Sequence, residues 1–261
     1  MRRMAHAGAL AVAALSGALA LAAAPPLDAD TLVAQVVESQ RTRGARIRAR
    51  LAITPPRATR AKTLQLLIET RREGASREAL YLVLFPAAEK GRALVIRRTA
   101  DGAATGFLRE PDGSITPLTE QRMGDPVLGS ALTVEDLTES FLDWPSPRLA
   151  GRDAVASRSC EVVEFRRPRA GAGRPAVVRA CLSPELRLPL RVESFDAGGA
   201  LLKRIEADRL FRHDGRYTVA GFTVDSASGG RIELDGSKAE RDVEIPAGDF
   251  TPEGIARRLR D

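Results

Sequence analysis

Two cysteines and two histidines are the side chains of this 261-residue protein with the most chemistry to offer. The cysteines are Cys160 and Cys181, the histidines His6 and His213. His213 precedes Asp214-Gly215, a dipeptide that favours a hairpin turn, and reads as a solvated turn residue. One such histidine is too few for a Ser-His-Asp triad or a multi-histidine zinc site. Two cysteines do not make a zinc site either. The sequence has no G-x-S-x-G elbow, no Walker loop and no Rossmann glycine fingerprint. Acidic residues are plentiful, so a carboxylate pair of the glycosidase kind is conceivable. Sugar sites usually need aromatic platforms, however, and this chain has one tryptophan, Trp144, and two tyrosines, Tyr81 and Tyr217. No catalytic residue, metal ligand or cofactor site is therefore expected, and the chain reads as a binding protein.

The cysteine pair points to oxidation instead. Ser159–Arg166 and Ala176–Leu182 read as strands around the turn-rich Pro168–Gly173. A turn centred near residues 170–171 would set Cys160 directly opposite Cys181, within reach of a disulfide if the pair is of the closer, non-hydrogen-bonded kind. An even cysteine count favours a bridge in an oxidising compartment.

The N-terminus supplies that compartment. Arg2 and Arg3 precede an apolar run from Ala7 to Ala24, which ends in Ala22-Ala23-Ala24 before Pro25-Pro26. These are the three regions of a secretory signal peptide, expected over residues 1–24. The other reading is a membrane anchor, which so much alanine suits poorly. The mature chain, 25–261, is then expected in the bacterial periplasm.

Charge excludes little. Of 40 basic residues only Lys62, Lys90, Lys203 and Lys238 are lysine, a bias that GC-rich coding would produce. The net charge of +6 is spread among acids, and aromatics are 4%, too few for a nucleic-acid face. Attraction to anionic lipid headgroups is the functional alternative for this charge.

The elements that must position any site are mostly strands. Asp28 or Asp30 caps a first helix carrying Leu32, Val33, Val36 and Val37, which ends near Gly44. Alternation then begins: Ile47, Ala49, Leu51 and Ile53 share a face, as do Leu64, Leu66 and Ile68. Glu78–Phe85 sets Leu80, Leu82 and Leu84 against Tyr81, Val83 and Phe85. Further strands are expected at 92–98, 105–109, 115–119, 188–195, 201–211, 217–225 and 231–234, separated by short turns in the manner of an antiparallel meander. Met123–Ser130 reads as a loop, and Thr133 caps a helix over 134–143 that Pro145 stops. Thr251 and Pro252 open a last helix to Leu259.

Five segments in order resemble the outer-membrane lipoprotein-sorting protein family, of LolA-like fold. They are Gly129-Ser130-Ala131-Leu132-Thr133-Val134-Glu135-Asp136-Leu137, the strand Cys160–Phe165, Leu188-Pro189-Leu190-Arg191-Val192-Glu193-Ser194-Phe195-Asp196, Gly198-Gly199-Ala200-Leu201-Leu202-Lys203, and the tail Ile245-Pro246 to Asp249-Phe250-Thr251. The resemblance spans residues 28–260. It implies an α+β, mainly β domain: a single curved antiparallel sheet of about eleven strands, an unclosed barrel with helices packed over its open mouth. It further implies a monomeric carrier that holds acyl chains of a lipid or lipoprotein in an apolar cavity. Such a carrier would receive them from an inner-membrane exporter and pass them to an outer-membrane acceptor. An RseB-like sensor of lipoproteins or misfolded outer-membrane proteins is the alternative. Those proteins carry an additional C-terminal domain, for which the residues after Thr251 leave no room.

The cavity is expected to be lined by Leu64, Leu66, Ile68, Leu80, Leu82 and Leu84. Leu137 and Phe141 would touch it from a lid helix over 133–143, hinged at Gly124 and Gly129, with its acidic first turn toward solvent.

Overall fold

The computed structural model describes residues 27–99, 102–169, 174–213 and 215–260. The signal peptide expected over residues 1–24 lies outside them.

Alternating apolar residues build one antiparallel sheet of thirteen strands. In chain order they are β1 (Gly44–Thr54), β2 (Lys62–Glu73), β3 (Ser76–Phe85), β4 (Ala93–Arg98), β5 (Ala104–Arg109), β6 (Ile115–Leu118), β7 (Arg148–Val155), β8 (Arg158–Arg166), β9 (Val177–Ser183), β10 (Leu188–Phe195), β11 (Leu201–His213), β12 (Arg216–Ser226) and β13 (Arg231–Arg241). β1 to β6 form one meander and β7 to β13 another. They join where β1 pairs with β13, Leu51 facing Leu234. β6 and β7, consecutive in the chain, are the two edges and remain unpaired with each other. The sheet is therefore unclosed, and residues 119–147 cross from one edge to the other.

Thirteen strands exceed the eleven expected. β7 is the strand that sequence reading passed over. Seven of its eight residues are exposed, so it carries no apolar alternation, and an edge strand needs none.

Three α-helices accompany the sheet. In α1 (Ala29–Ser39) the Asp28 carboxylate accepts from the backbone N–H of Thr31, which settles the cap on Asp28 rather than Asp30. In α2 (Val134–Thr138) Thr133 and Asp136 form a capping box. α2 is shorter than the expected 134–143. Glu139 turns left-handed at φ 48°, and a 3₁₀ turn over Ser140–Asp143 completes the span. α3 (Pro252–Arg258) starts on Thr251 and Pro252 as expected.

The two faces of the sheet are covered differently. On the inner face, α1 lays Leu32, Val33 and Val36 on Val163, Phe165, Val178 and Ala180. Phe141 meets Phe165 edge-on there, with ring centroids 5.1 Å apart. Further along the same face, Met123, Val127, Leu128, Leu132 and Val134 bury against Leu51, Leu64, Leu66, Val83 and Leu94. The expected hinged loop at 123–130 is therefore a plug. Its apolar residues are buried, and Gly129 alone of its two glycines takes a positive φ, 67°. On the outer face, Phe250 and Ile255 of the C-terminal segment cover Leu67, Leu80, Leu82, Val95 and Phe107.

Cys160 and Cys181 form a disulfide, with Cα atoms 5.3 Å apart. Their register differs from the expected one. Val162, not Cys160, stands directly opposite Cys181, so the bridge runs diagonally between β8 and β9.

Candidate functional site

Between the α1 packing and the 123–134 plug, the inner face leaves a cavity of about 290 Å³. This is close to the lower bound, about 300 Å³, of ordinary small-molecule sites. Its wall is mostly apolar. Ile47 of β1, Ile68 of β2, Tyr81 of β3, Ile205 of β11 and Phe222 of β12 line the sheet side. Leu137 of α2, with Phe141 and Trp144 after it, lines the other.

The expected lining residues divide three ways. Ile68, Leu137 and Phe141 stand in the wall. Leu64 and Leu66 share the inner face with Ile68 but lie under the plug, 0% and 1% exposed, and do not reach the cavity. Leu80, Leu82 and Leu84 are on the other side of the sheet, packed toward the α3 segment. The reason is the β2–β3 turn. Glu73 faces Ser76 across the two-residue turn Gly74-Ala75, so even positions of β2 oppose odd positions of β3. Ile68 therefore faces Tyr81, and Leu67 faces Leu82. Facing residues share a side of the sheet, which gives the inner places to Tyr81 and Val83. Tyr81 and Ile47 were missed as wall residues; counting the turn length would have found Tyr81. Cys160 and Cys181 lie outside the wall, beside Leu188 and Leu190, which belong to it.

Charged groups hold the segment across the mouth. Glu135 of α2 is 8% exposed and pairs with Arg167 and, at 3.0 Å, with Arg174. Asp136 pairs with Lys203 of β11. The acidic first turn thus faces the sheet and its β8–β9 connection, not solvent as expected. A buried pair with both partners present tolerates burial, whereas removing one partner leaves an expensive lone charge. Arg167 also lies over the Trp144 ring, 4.5 Å from its centroid.

At one end the cavity meets Gln40, Arg77 and Glu139, which also line a second, polar recess. Burial pushes the Glu139 carboxyl above its usual range, with Arg77 and Arg98 pulling it back. Withdrawal from water pushes the Tyr81 hydroxyl, near the same spot, up to about 12. Among the described residues, no group of three or more His, Cys, Asp and Glu side chains is arranged to hold a metal ion. No helix among them is long and apolar enough to cross a membrane.

An unclosed sheet of this kind has known counterparts. A family profile described as "Uncharacterized protein" matches residues 75–257. The chain belongs to that family. A search of curated protein sequences finds no match. Among solved structures, a domain whose description assigns it to outer membrane lipoprotein-sorting proteins, from Vibrio parahaemolyticus, superposes with a TM-score of 0.79 at 16% identity, covering 87% of this chain and 97% of its own. A DUF1329 family protein from Desulfovibrio piger gives a TM-score of 0.79 at 17% identity, with 87% and 97% covered. A LolA superfamily protein from Nitrosomonas europaea gives 0.64 at 15% identity, with 86% and 98% covered. The fold of this family member is LolA-like, as the five sequence segments implied.

Proposed function

We propose that this protein is a periplasmic carrier that takes an acyl chain of a lipid or lipoprotein into the inner cavity and delivers it toward the outer membrane. The observation that carries the reading is the cavity itself: apolar, set in the concave side of an unclosed sheet, and walled on its open side by Leu137, Phe141 and Trp144. A fully packed core would leave no such space. Each methylene transferred into it from water contributes about 0.8 kcal/mol, so a chain of several methylenes binds without any polar contact. Release then requires an acceptor with a better-fitting site, in keeping with a donor at the inner membrane and an acceptor at the outer one. The signal-peptide pattern at residues 1–24 supports the compartment.

Native mass spectrometry of the protein isolated from the periplasm tests this. A mass adduct in the range of an acylated molecule, lost on delipidation and restored by added lipid, is the expected outcome. A clean apo mass together with no binding of a fluorescent fatty acid would sink the proposal.

A further inference from the structure

Three arginines stand in a row where the cavity opens. Arg72 of β2 lies directly opposite Arg77 of β3, and Arg77 directly opposite Arg98 of β4. Directly opposed residues on antiparallel strands have Cβ atoms about 5 Å apart, and like charges there are destabilising. The same three strands show the ordinary solution one residue along, on the outer face. There the row is Arg71, Glu78 and Arg97. Glu78 bridges its neighbours, 3.4 Å from Arg71 and 2.7 Å from Arg97. The outer row alternates in charge and the inner row does not. Of the inner three, Arg98 alone forms an ion pair among the described residues, with Asp143.

The inner row lines the polar recess, about 620 Å³, together with Arg41. Arg41 is engaged with Glu38 on its own helical turn. Burial lowers the guanidinium pKa of both Arg72 and Arg98, and Arg77 adds repulsion to each. Glu139, at the junction with the cavity, is a poor neutraliser because burial disfavours its charge. The free protein thus holds a concentration of positive charge in a half-sheltered place, next to an apolar cavity. An anion seated there would relieve the repulsion and receive charge-assisted hydrogen bonds, which guanidinium forks make well with phosphate oxygens.

We propose that this recess is the headgroup site of the cargo, and that the headgroup is a lipid phosphate. The inference rests on the acyl-carrier reading above and deepens it. The chain would lie against Ile68 and Tyr81, and the phosphate would sit among Arg72, Arg77 and Arg98. A phospholipid-type amphiphile satisfies both halves; the acylated end of a lipoprotein brings no phosphate.

Trp144, the one tryptophan, stands in the cavity wall and reports occupancy by its fluorescence. The protein is titrated with 1-oleoyl lysophosphatidic acid and with 1-oleoyl glycerol, which share a chain and differ in the phosphate. Wild type should bind the phosphorylated lipid at least tenfold more tightly. The double variant Arg72→Gln, Arg98→Gln, at two arginines that line the recess and not the cavity, should lose most of that preference while its Kd for oleoyl glycerol stays unchanged, which also shows that it has folded. Inorganic phosphate should compete only at concentrations far above the Kd of the phospholipid. Equal affinity of wild type for the two lipids, or a preference retained in the double variant, overturns the headgroup site and leaves the carrier reading standing. Inorganic phosphate binding as tightly as the lipid would make the recess a free-anion site and overturns it too. Binding of neither lipid overturns the carrier reading along with it.

Discussion

The two faces of β2, β3 and β4 come from one alternating stretch of sequence and end in different states. The outer face is sealed. Phe250 and Ile255 cover its leucines, and the Glu69 carboxylate, 0% exposed, is held there between Arg46 at 2.6 Å and Arg258 at 2.6 Å. The inner face is sealed over Leu64 and Leu66 by the 123–134 plug and left open from Ile68 and Tyr81 onward. Its charges follow suit: the outer row alternates in sign, while the inner row sets three arginines side by side, of which Arg98 alone has an ion pair among the described residues. What separates the faces is the cover, not the composition of the strands. A sheet face becomes a core where a covering segment brings enough side chains, and a binding surface where that segment stops short.

The largest expected effect contrasts two neighbours on the inner face. Leu66→Glu puts an unpaired carboxylate under the plug, at a cost of several kcal/mol, and should unfold the protein. Ile68→Glu, two residues along in the cavity wall, should keep a cooperative thermal transition and abolish fatty-acid binding. A folded Leu66→Glu protein would show that the plug does not seal the face. Next, Glu69→Ala on the outer face takes away the carboxylate that Arg46 and Arg258 share, leaving Arg46 with Glu240 at 3.6 Å and Arg258 with Asp249. A loss of about 3 kcal/mol in urea unfolding is expected, the low end for a broken buried pair because both arginines keep some contact with water. Leu82→Ala, also on the outer face, should cost about 3 kcal/mol, whereas Leu137→Ala, bordering empty space, should cost about 1 kcal/mol. Equal losses would mean that the cavity is closed in solution. Smallest is Arg77→Gln, expected to leave stability within about 0.5 kcal/mol of wild type or to raise it, since it removes a like-charge contact. A clear loss in the same unfolding assay would show that Arg77 has a partner that balances it.

Much of this was legible in the sequence, and the failures have definite causes. Alternation located the strands because each has one face to bury, and β7 escaped because an exposed edge has none. Leu80, Leu82 and Leu84 were placed on the wrong side because alternation fixes each strand alone. Only the turn between strands relates their faces, and Gly74-Ala75 is short enough to do so. The cysteine bridge was recognised from residue type and compartment, but its register depends on how many residues the β8–β9 connection uses, which composition does not give. Gly124, Asp125, Pro126 and Gly129 made 123–130 look like a hinge, and Val127 and Leu128 among them turned it into packing. The acidic first turn of α2 is invisible as an anchor because its partners, Arg167, Arg174 and Lys203, lie far along the chain.

The pairing of β1 with β13 has a consequence in time. Every other strand pair is a neighbour in sequence, so each meander can assemble from local hairpins. Joining the two halves requires residues from opposite ends of the domain to meet, and the entropy of closing that span is lost before the contact rewards it. This seam should set the folding rate. Leu234→Ala, opposite Leu51, should slow refolding more than it speeds unfolding. Until the seam closes, each half presents an uncovered apolar face, so during folding the chain is most exposed to aggregation in the interval before its last strand arrives.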